Sequence, residues 1–278
     1  MGYAAPDALS DVLSLLAQHP SARVVAGGTD FFPALGDGVP PETLIDVTRV
    51  AELGGITHGP EGWRIGAAVR WSEVIGHPLP PCFDALKTAA RAVGSVQIQN
   101  VGTVAGNLCN ASPAADGVPP LLALEAEVEL TGPTGTRRMP VQEFLQGVRK
   151  TALRRGEILS AIHIPAQPDG AGSAFEKLGS RKYLVISIVM VAANIWCAGG
   201  RITGARVAVG AASPVAQRLP GLEGDLIGLP VDAPGPFTRP AHLTILSPIA
   251  DVRGSAAYRA EAVAELCDRA IRGAMRHG

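Results

Sequence analysis

The stretch that decides the fold runs from Gly94 to Glu129, GSVQIQNVGTVAGNLCNASPAADGVPPLLALEAEVE. It crowds small residues, amides and carboxamides between plain apolar segments. Gln97, Gln99, Asn100 and Asn107 surround Gly102, Thr103 and Gly106, and so much polar density beside apolar flanks needs partners. Asx turns and helix caps can satisfy it internally, or a ligand can. Further along, Ser112-Pro113-Ala114-Ala115-Asp116 precedes Pro119 and Pro120, which open a helix to about Ala126, followed by a strand from Glu127 to Thr131. Position alone makes Asp116 an N-cap or dipole partner. The functional alternative is a carboxylate that accepts hydrogen bonds from ligand hydroxyls.

Upstream, Val24-Val25-Ala26-Gly27-Gly28-Thr29-Asp30-Phe31 repeats the same plan, with strand-like apolar residues directly before glycines and a hydroxyl alongside. Consecutive glycines permit positive φ and remove side chains, so successive amides can approach an oxyanion closely. Taken alone, one GG dipeptide reads first as a strand-to-helix turn. With both runs present, a two-sided phosphate cradle is the better reading. Neither run is a Rossmann fingerprint or a Walker loop, because GxGxxG and GK[ST] are absent.

The rest of the chain alternates. Asp7 is placed to cap a helix running to about Gln18, and Arg23 to Ala26 reads as a buried strand. Pro33 to Pro41 reads as a loop, Leu44 to Val47 and Trp63 to Ala67 as strands, the latter leading into a helix near Ser72, and Cys82 to Ala92 as a helix. Glu157 to Pro165 is a proline-closed strand, and the linker Pro168 to Gly172 marks a domain boundary. The apolar run Leu184 to Ala198 is too short for the roughly 20 residues of a spanning helix and reads as buried strand or helix. Arg206 to Gly210 reads as a strand, and Ala256 to Arg272 as a long amphipathic helix.

Composition narrows the function. With 278 residues and 47% apolar content, the chain can bury two or three packed subdomains. A net charge of -1 and only 4% aromatics provide neither the basic stripe nor the stacking platforms of nucleic-acid binding. The four cysteines are widely separated and match no zinc or iron–sulfur spacing. No signal segment precedes the first helix, so a cytoplasmic protein is expected. No HxxxH, HExxH or GxSxG occurs, and His163 reads as a packed or surface histidine. Any chemistry would therefore belong to a bound cofactor rather than to side chains.

VVAGGTDF at 24 to 31, QNVGTVAGN ending at Asn107 and NASPAAD at 110 to 116 together resemble the FAD-binding subunit of the molybdenum hydroxylases, the group that includes xanthine dehydrogenase and aerobic carbon monoxide dehydrogenase. GEILSAIHIP at 156 to 165, FEKLGSR at 175 to 181 and DVRGSAAYR at 251 to 259 extend the resemblance over nearly the whole chain. It implies an α/β (α+β) fold: a two-subdomain FAD-binding unit of the PCMH type, residues 1–57 and 58–167, with a smaller α/β C-terminal domain at 168–278. FAD would lie against Val24, Val25, Ala26, Gly27, Gly28, Thr29, Asp30 and Phe31 on one side, and Thr103, Val104, Ala105, Gly106 and Asn107 on the other. Asp116 would serve as a ribityl or ribose ligand, with Leu159 and Lys177 bordering the flavin.

In that family a molybdopterin centre on a large subunit hydroxylates the substrate, and [2Fe–2S] clusters on a small subunit relay electrons to the FAD, which passes them to an external acceptor. No catalytic side chain and no metal ligand are expected on this chain. Three positions depart from the family pattern: Ala105 stands where glycine is common, Gln99 where arginine often precedes asparagine, and Val185 where many members carry aspartate. The alternatives are a self-sufficient FAD-dependent reductase or oxidase of the same fold and a non-catalytic assembly subunit.

Overall fold

A computed structural model describes residues 2–182 and 184–276. The N-terminal layer is a parallel three-stranded sheet, order β1-β3-β2, of β1 (Gly2–Ala4), β2 (Arg23–Val25) and β3 (Thr43–Asp46). Helix α1 (Leu9–Gln18) covers it, burying Val12 and packing Leu9, Leu13 and Leu16 at helical spacing. Asp7 does not cap α1. The N-cap is Ala8, without a side-chain bond, and the Asp7 carboxylate pairs with Arg49 at 3.0 Å. Pro33, expected in a loop, sits inside the short helix α2 (Phe31–Leu35), where its missing N–H costs nothing in the first turn.

The second layer is antiparallel, order β4-β5-β10-β6-β7, formed by β4 (Ile56–Gly59), β5 (Gly62–Gly66), β6 (Glu127–Gly132), β7 (Gly135–Pro140) and β10 (Ile158–Pro165). Between β5 and β6 run helices α3 (Trp71–Gly76), α4 (Asp84–Ala92), α5 (Val96–Gln99), α6 (Val104–Asn110) and α7 (Val118–Ala123). Between β7 and β10 lie α8 (Val141–Phe144) and the small hairpin of β8 (Leu145–Gly147) and β9 (Lys150–Thr151). Ile65, Val128, Leu130 and Ile162 turn inward to the core, while Arg64, Glu129 and His163 face outward, as the two-residue period of a strand requires.

The apolar run Leu184 to Ala198, which read as buried strand or helix, is a strand only from Val189 onward; Leu184 to Ile188 is irregular, with Leu184 and Ile186 exposed. β11 (Gly172–Leu178), β12 (Val189–Ala198), β13 (Arg201–Gly210) and β14 (Gln217–Arg218) form an antiparallel sheet in that order, with α9 (Pro220–Leu226) packed against β13. Helix α10 (Ala256–Met275) closes one face with Val263, Leu266, Cys267, Ala270, Ile271 and Ala274. On the other face Phe175, Met190 and Ala192 meet Ala85 and Ala89 of α4 and Ala123 of α7. The small residues of α4 let helix and sheet approach, and Ser173 ties them: its hydroxyl accepts from the Ala85 amide and donates to the Pro81 carbonyl, both at 2.9 Å. Among the described residues no helix is long and apolar enough to cross a membrane.

A two-pronged ion pair closes the loop before β10. The Arg137 guanidinium donates to both Glu157 oxygens at 2.8 Å and to the Ala152 carbonyl at 2.9 Å. These bonds hold the Glu157 carboxyl below its ordinary value of 4.5. A depressed carboxylate pKa contributes stability that is complete above the unfolded value and lost as pH falls through the folded one. Glu157→Gln should therefore cost about 1–2 kcal/mol at pH 7. In denaturant titrations of wild type and variant, that difference should shrink as the pH is lowered below 4.5.

Candidate functional site

The first glycine run lies where β2 gives way to α2. Gly28 takes φ +67°, and its carbonyl accepts from the Phe32 amide at 3.0 Å. The amides of Gly27, Gly28, Thr29 and Asp30 find no protein acceptor among the described residues. Groups of this kind turn to water or to a ligand.

The second run is a pair of short, capped helices. Ser95 caps α5 by accepting from the Ile98 amide, and Gly102 closes it by donating to the Ile98 carbonyl at 2.7 Å. Thr103 then caps α6, its hydroxyl oxygen accepting from the Gly106 amide at 3.0 Å. Ala105 lies in the first turn of α6, so the alanine meets no φ restriction. Its amide has no protein acceptor among the described residues. Gln99 is structural: its side-chain amide donates to the Arg91 and Val93 carbonyls at 3.0 Å and pins α5 to the end of α4.

The two runs touch. A Cβ placed on Gly27 would stand 1.9 Å from the Val101 carbonyl oxygen and 2.9 Å from the Gly102 nitrogen, so only glycine fits there. A Cβ on Gly102 would lie 3.4 Å from the Thr29 hydroxyl oxygen. The structure thus sets Gly27 and Thr29 of the first run against Val101 and Gly102, the residues directly before Thr103–Asn107. Close by, the Asn107 side-chain oxygen is buried with no partner among the described residues. Free amides, an orphaned carboxamide oxygen and a side-chain-free seam fit a ligand that offers phosphate oxygens and hydroxyls.

Asp116 sits beside this seam but caps nothing. The N-cap of α7 is Gly117. The Asp116 carboxylate instead accepts from Lys177 Nζ on β11 and from the Ser187 hydroxyl, each at 2.6 Å. Burial pushes this carboxyl above its ordinary value, against the downward pull of Lys177 and Ser187. Leu159 lies in the core on β10, a strand that packs against α6, and makes no polar contact with the runs. Val185 is half-buried and packs against Gly179, where a Cβ would meet its methyl group at 2.5 Å.

Trp71, which sequence reasoning missed, forms the back wall. It is 1% exposed, its amide donates to the Gly102 carbonyl at 3.1 Å, and Val104 donates to Val69 at the same distance. A Cβ at Gly102 would come within 3.6 Å of the indole, and one at Gly117 within 2.4 Å, so the ring fills the space both glycines leave. Ser187 was missed as well, although it is a lone hydroxyl in an apolar run.

A cavity of about 890 Å3 lies elsewhere, over the outer face of the five-stranded sheet. Several of its polar side chains are already bonded to one another: His163 to Glu129 at 2.8 Å, Arg138 to Glu61 at 3.2 Å and Arg218 to Glu125 at 2.9 Å. Chemistry, not volume, points to the glycine runs.

Comparison with known proteins agrees with this geometry. Residues 1–167 match the family model of the FAD-binding domain in molybdopterin dehydrogenase, and residues 173–274 match that of the CO dehydrogenase flavoprotein C-terminal domain. The chain is 36% identical over 216 residues to the xanthine dehydrogenase FAD-binding subunit of Escherichia coli O157:H7, covering 76% of this chain and 73% of that one. It is 30% identical over 282 residues to the carbon monoxide dehydrogenase medium chain of Hydrogenophaga pseudoflava, covering 98% and 96%. The solved structure of reconstituted CO dehydrogenase from Oligotropha carboxidovorans superposes with a TM-score of 0.92 at 28% identity, covering 100% of this chain and 98% of that one. The chain belongs to the family of FAD-binding subunits of molybdopterin dehydrogenases.

The seam between the runs predicts a contrast between two glycines. Gly27→Ala should lower stability by about 1–3 kcal/mol, because backbone atoms must move to admit the methyl group. Gly59→Ala, with nothing within 4 Å of its Cβ, should change stability by less than about 0.5 kcal/mol in the same thermal unfolding measurement.

Proposed function

We propose that this chain is the FAD-binding electron-transfer subunit of a heteromeric molybdenum-containing hydroxylase. The observation that carries this reading is the contact of the two glycine runs, where the amides of Gly27 to Asp30 and of Ala105 have no protein acceptor among the described residues. When bound, FAD would supply the two-electron carrier, taking electrons from [2Fe–2S] clusters and releasing them to an external acceptor. The clusters and the molybdopterin centre would reside on small and large partner subunits.

The chain's own residues bind and orient. Val24 to Phe31 and Thr103 to Asn107 form the two lips of the diphosphate cradle, with Gly27, Gly28 and Gly106 leaving room for close approach. Trp71 excludes water from behind, Asp116 and Lys177 form the polar wall, and Leu159 belongs to the core under α6. Four apolar side chains that flank the runs, Val24, Phe32, Val96 and Val101, stay exposed, as expected of a face that a cofactor or partner covers. The same reading divides the chain at 57/58 and 167/168; the C-terminal sheet lies wholly beyond the second boundary, while the first falls inside β4 (Ile56–Gly59), whose two ends both pair with β5. It places the protein in the cytoplasm, supported by four unpaired cysteines.

The purified chain should be yellow and release FAD on heating. Gly28→Val and Gly106→Val should abolish FAD retention, since a side chain at either position intrudes on the cradle and meets Phe32 or Thr103. Absorption spectroscopy and identification of the released chromophore test this. A colourless wild-type chain that takes up no FAD, or folded variants that keep it in full, would refute the reading.

A further inference from the structure

Ser187 lies outside both glycine runs and outside every motif that suggested the cofactor, yet it is tied to the polar wall of the site. It is 2% exposed, and its hydroxyl donates to Asp116 Oδ1 at 2.6 Å while Lys177 Nζ donates to Oδ2 at 2.6 Å. The carboxylate is thus held from two sides. Two contacts fix Ser187 itself. Its neighbour Ile188 donates to the Leu178 carbonyl at 2.8 Å, next to Lys177 on β11, and the buried Arg259 guanidinium donates to the Ile188 carbonyl.

Lys177 is held as firmly. An ammonium has three N–H donors. One goes to Asp116 and a second to the Ala92 carbonyl at 3.2 Å, at the end of α4. One N–H is left. With the side chain only 11% exposed, that donor points in a direction set by the protein, not by solvent.

We infer that Ser187 is a positioning residue for the cofactor site: by holding Asp116 it orients Lys177, so that a single directed N–H is presented to the bound flavin nucleotide. Asp116 then acts on the cofactor through Lys177. This inference rests on the FAD reading proposed above. Removing the hydroxyl leaves Asp116 Oδ1 buried with no donor, and the carboxylate is free to rotate and take the ammonium with it.

FAD titration of the FAD-free full chain tests the inference in an order that separates it from the reading it rests on. If wild type does not bind FAD, the functional reading fails before any Ser187 variant is made. If it binds, Ser187→Ala should weaken affinity about tenfold or more, the loss expected for a hydrogen bond to a buried charge. Ser187→Thr, which keeps the hydroxyl, should stay within about threefold of wild type. In a Lys177→Gln background, Ser187→Ala should add less than about twofold, because the path through Lys177 is already cut.

A purely structural role would give the same factor in both backgrounds. That result, or wild-type affinity in a folded Ser187→Ala protein, overturns the inference. Should Ser187→Ala not fold, Ser187→Cys keeps the volume with a weaker donor and should fall between Thr and Ala. Wild-type affinity there would also overturn it.

Discussion

The carbonyl oxygen of Val101 lies where any side chain at residue 27 would have to stand. This one backbone contact joins the parallel N-terminal sheet to the capped helices inserted between β5 and β6, and the rest of the site is built around it. Trp71 backs the joint on one side, spanning from Gly102 to Gly117. The C-terminal sheet closes the other side, carrying Lys177 to within hydrogen-bond reach of Asp116. Three sheets that are separate in the ladder of backbone bonds thus meet at one seam, and what they leave uncovered there is a row of unused amides.

Two ion pairs show how burial changes what a charge does. In one, Arg137 keeps 28% of its side chain exposed, and its fork-like hydrogen bonds to Glu157 lower the carboxyl pKa. Lys177 and Asp116 are closer together, yet desolvation dominates and Asp116 is pushed upward. Taking both charges out of water costs so much that a neighbouring cation and hydroxyl offset only part of it. A pair of that kind is poor evidence for stability and better evidence for a binding site, where orientation matters more than net energy.

Most of the architecture was legible because it rests on local signals. Periodicity gave the helices α1, α4 and α10 and the strands β5, β10 and β13, and the two glycine runs announced the breaks between them. The two glycine runs carried enough local chemistry to be paired before the contact of Gly27 with Val101 and Gly102 was visible. What stayed hidden depends on distant partners. Asp116 sits where N-caps sit, and nothing nearby in sequence says that Lys177 and Ser187, more than 60 residues away, will claim its oxygens. Trp71 was equally opaque, since its role is to fill space left by glycines at 102 and 117. Asp7 failed as a cap for a similar reason, its carboxylate being taken by Arg49.

The seam has a consequence for how the chain reaches its native state. Its two lips are some 75 residues apart in sequence, and the wall behind Asp116 comes from still further along, so closing it brings together segments that no local turn can deliver. The surface exists only where these distant segments are in place together. A nucleotide that binds this surface therefore binds the native ensemble alone, and its concentration becomes a variable in the folding equilibrium of all three layers. For a chain of this design, cofactor supply and protein abundance are thermodynamically the same question.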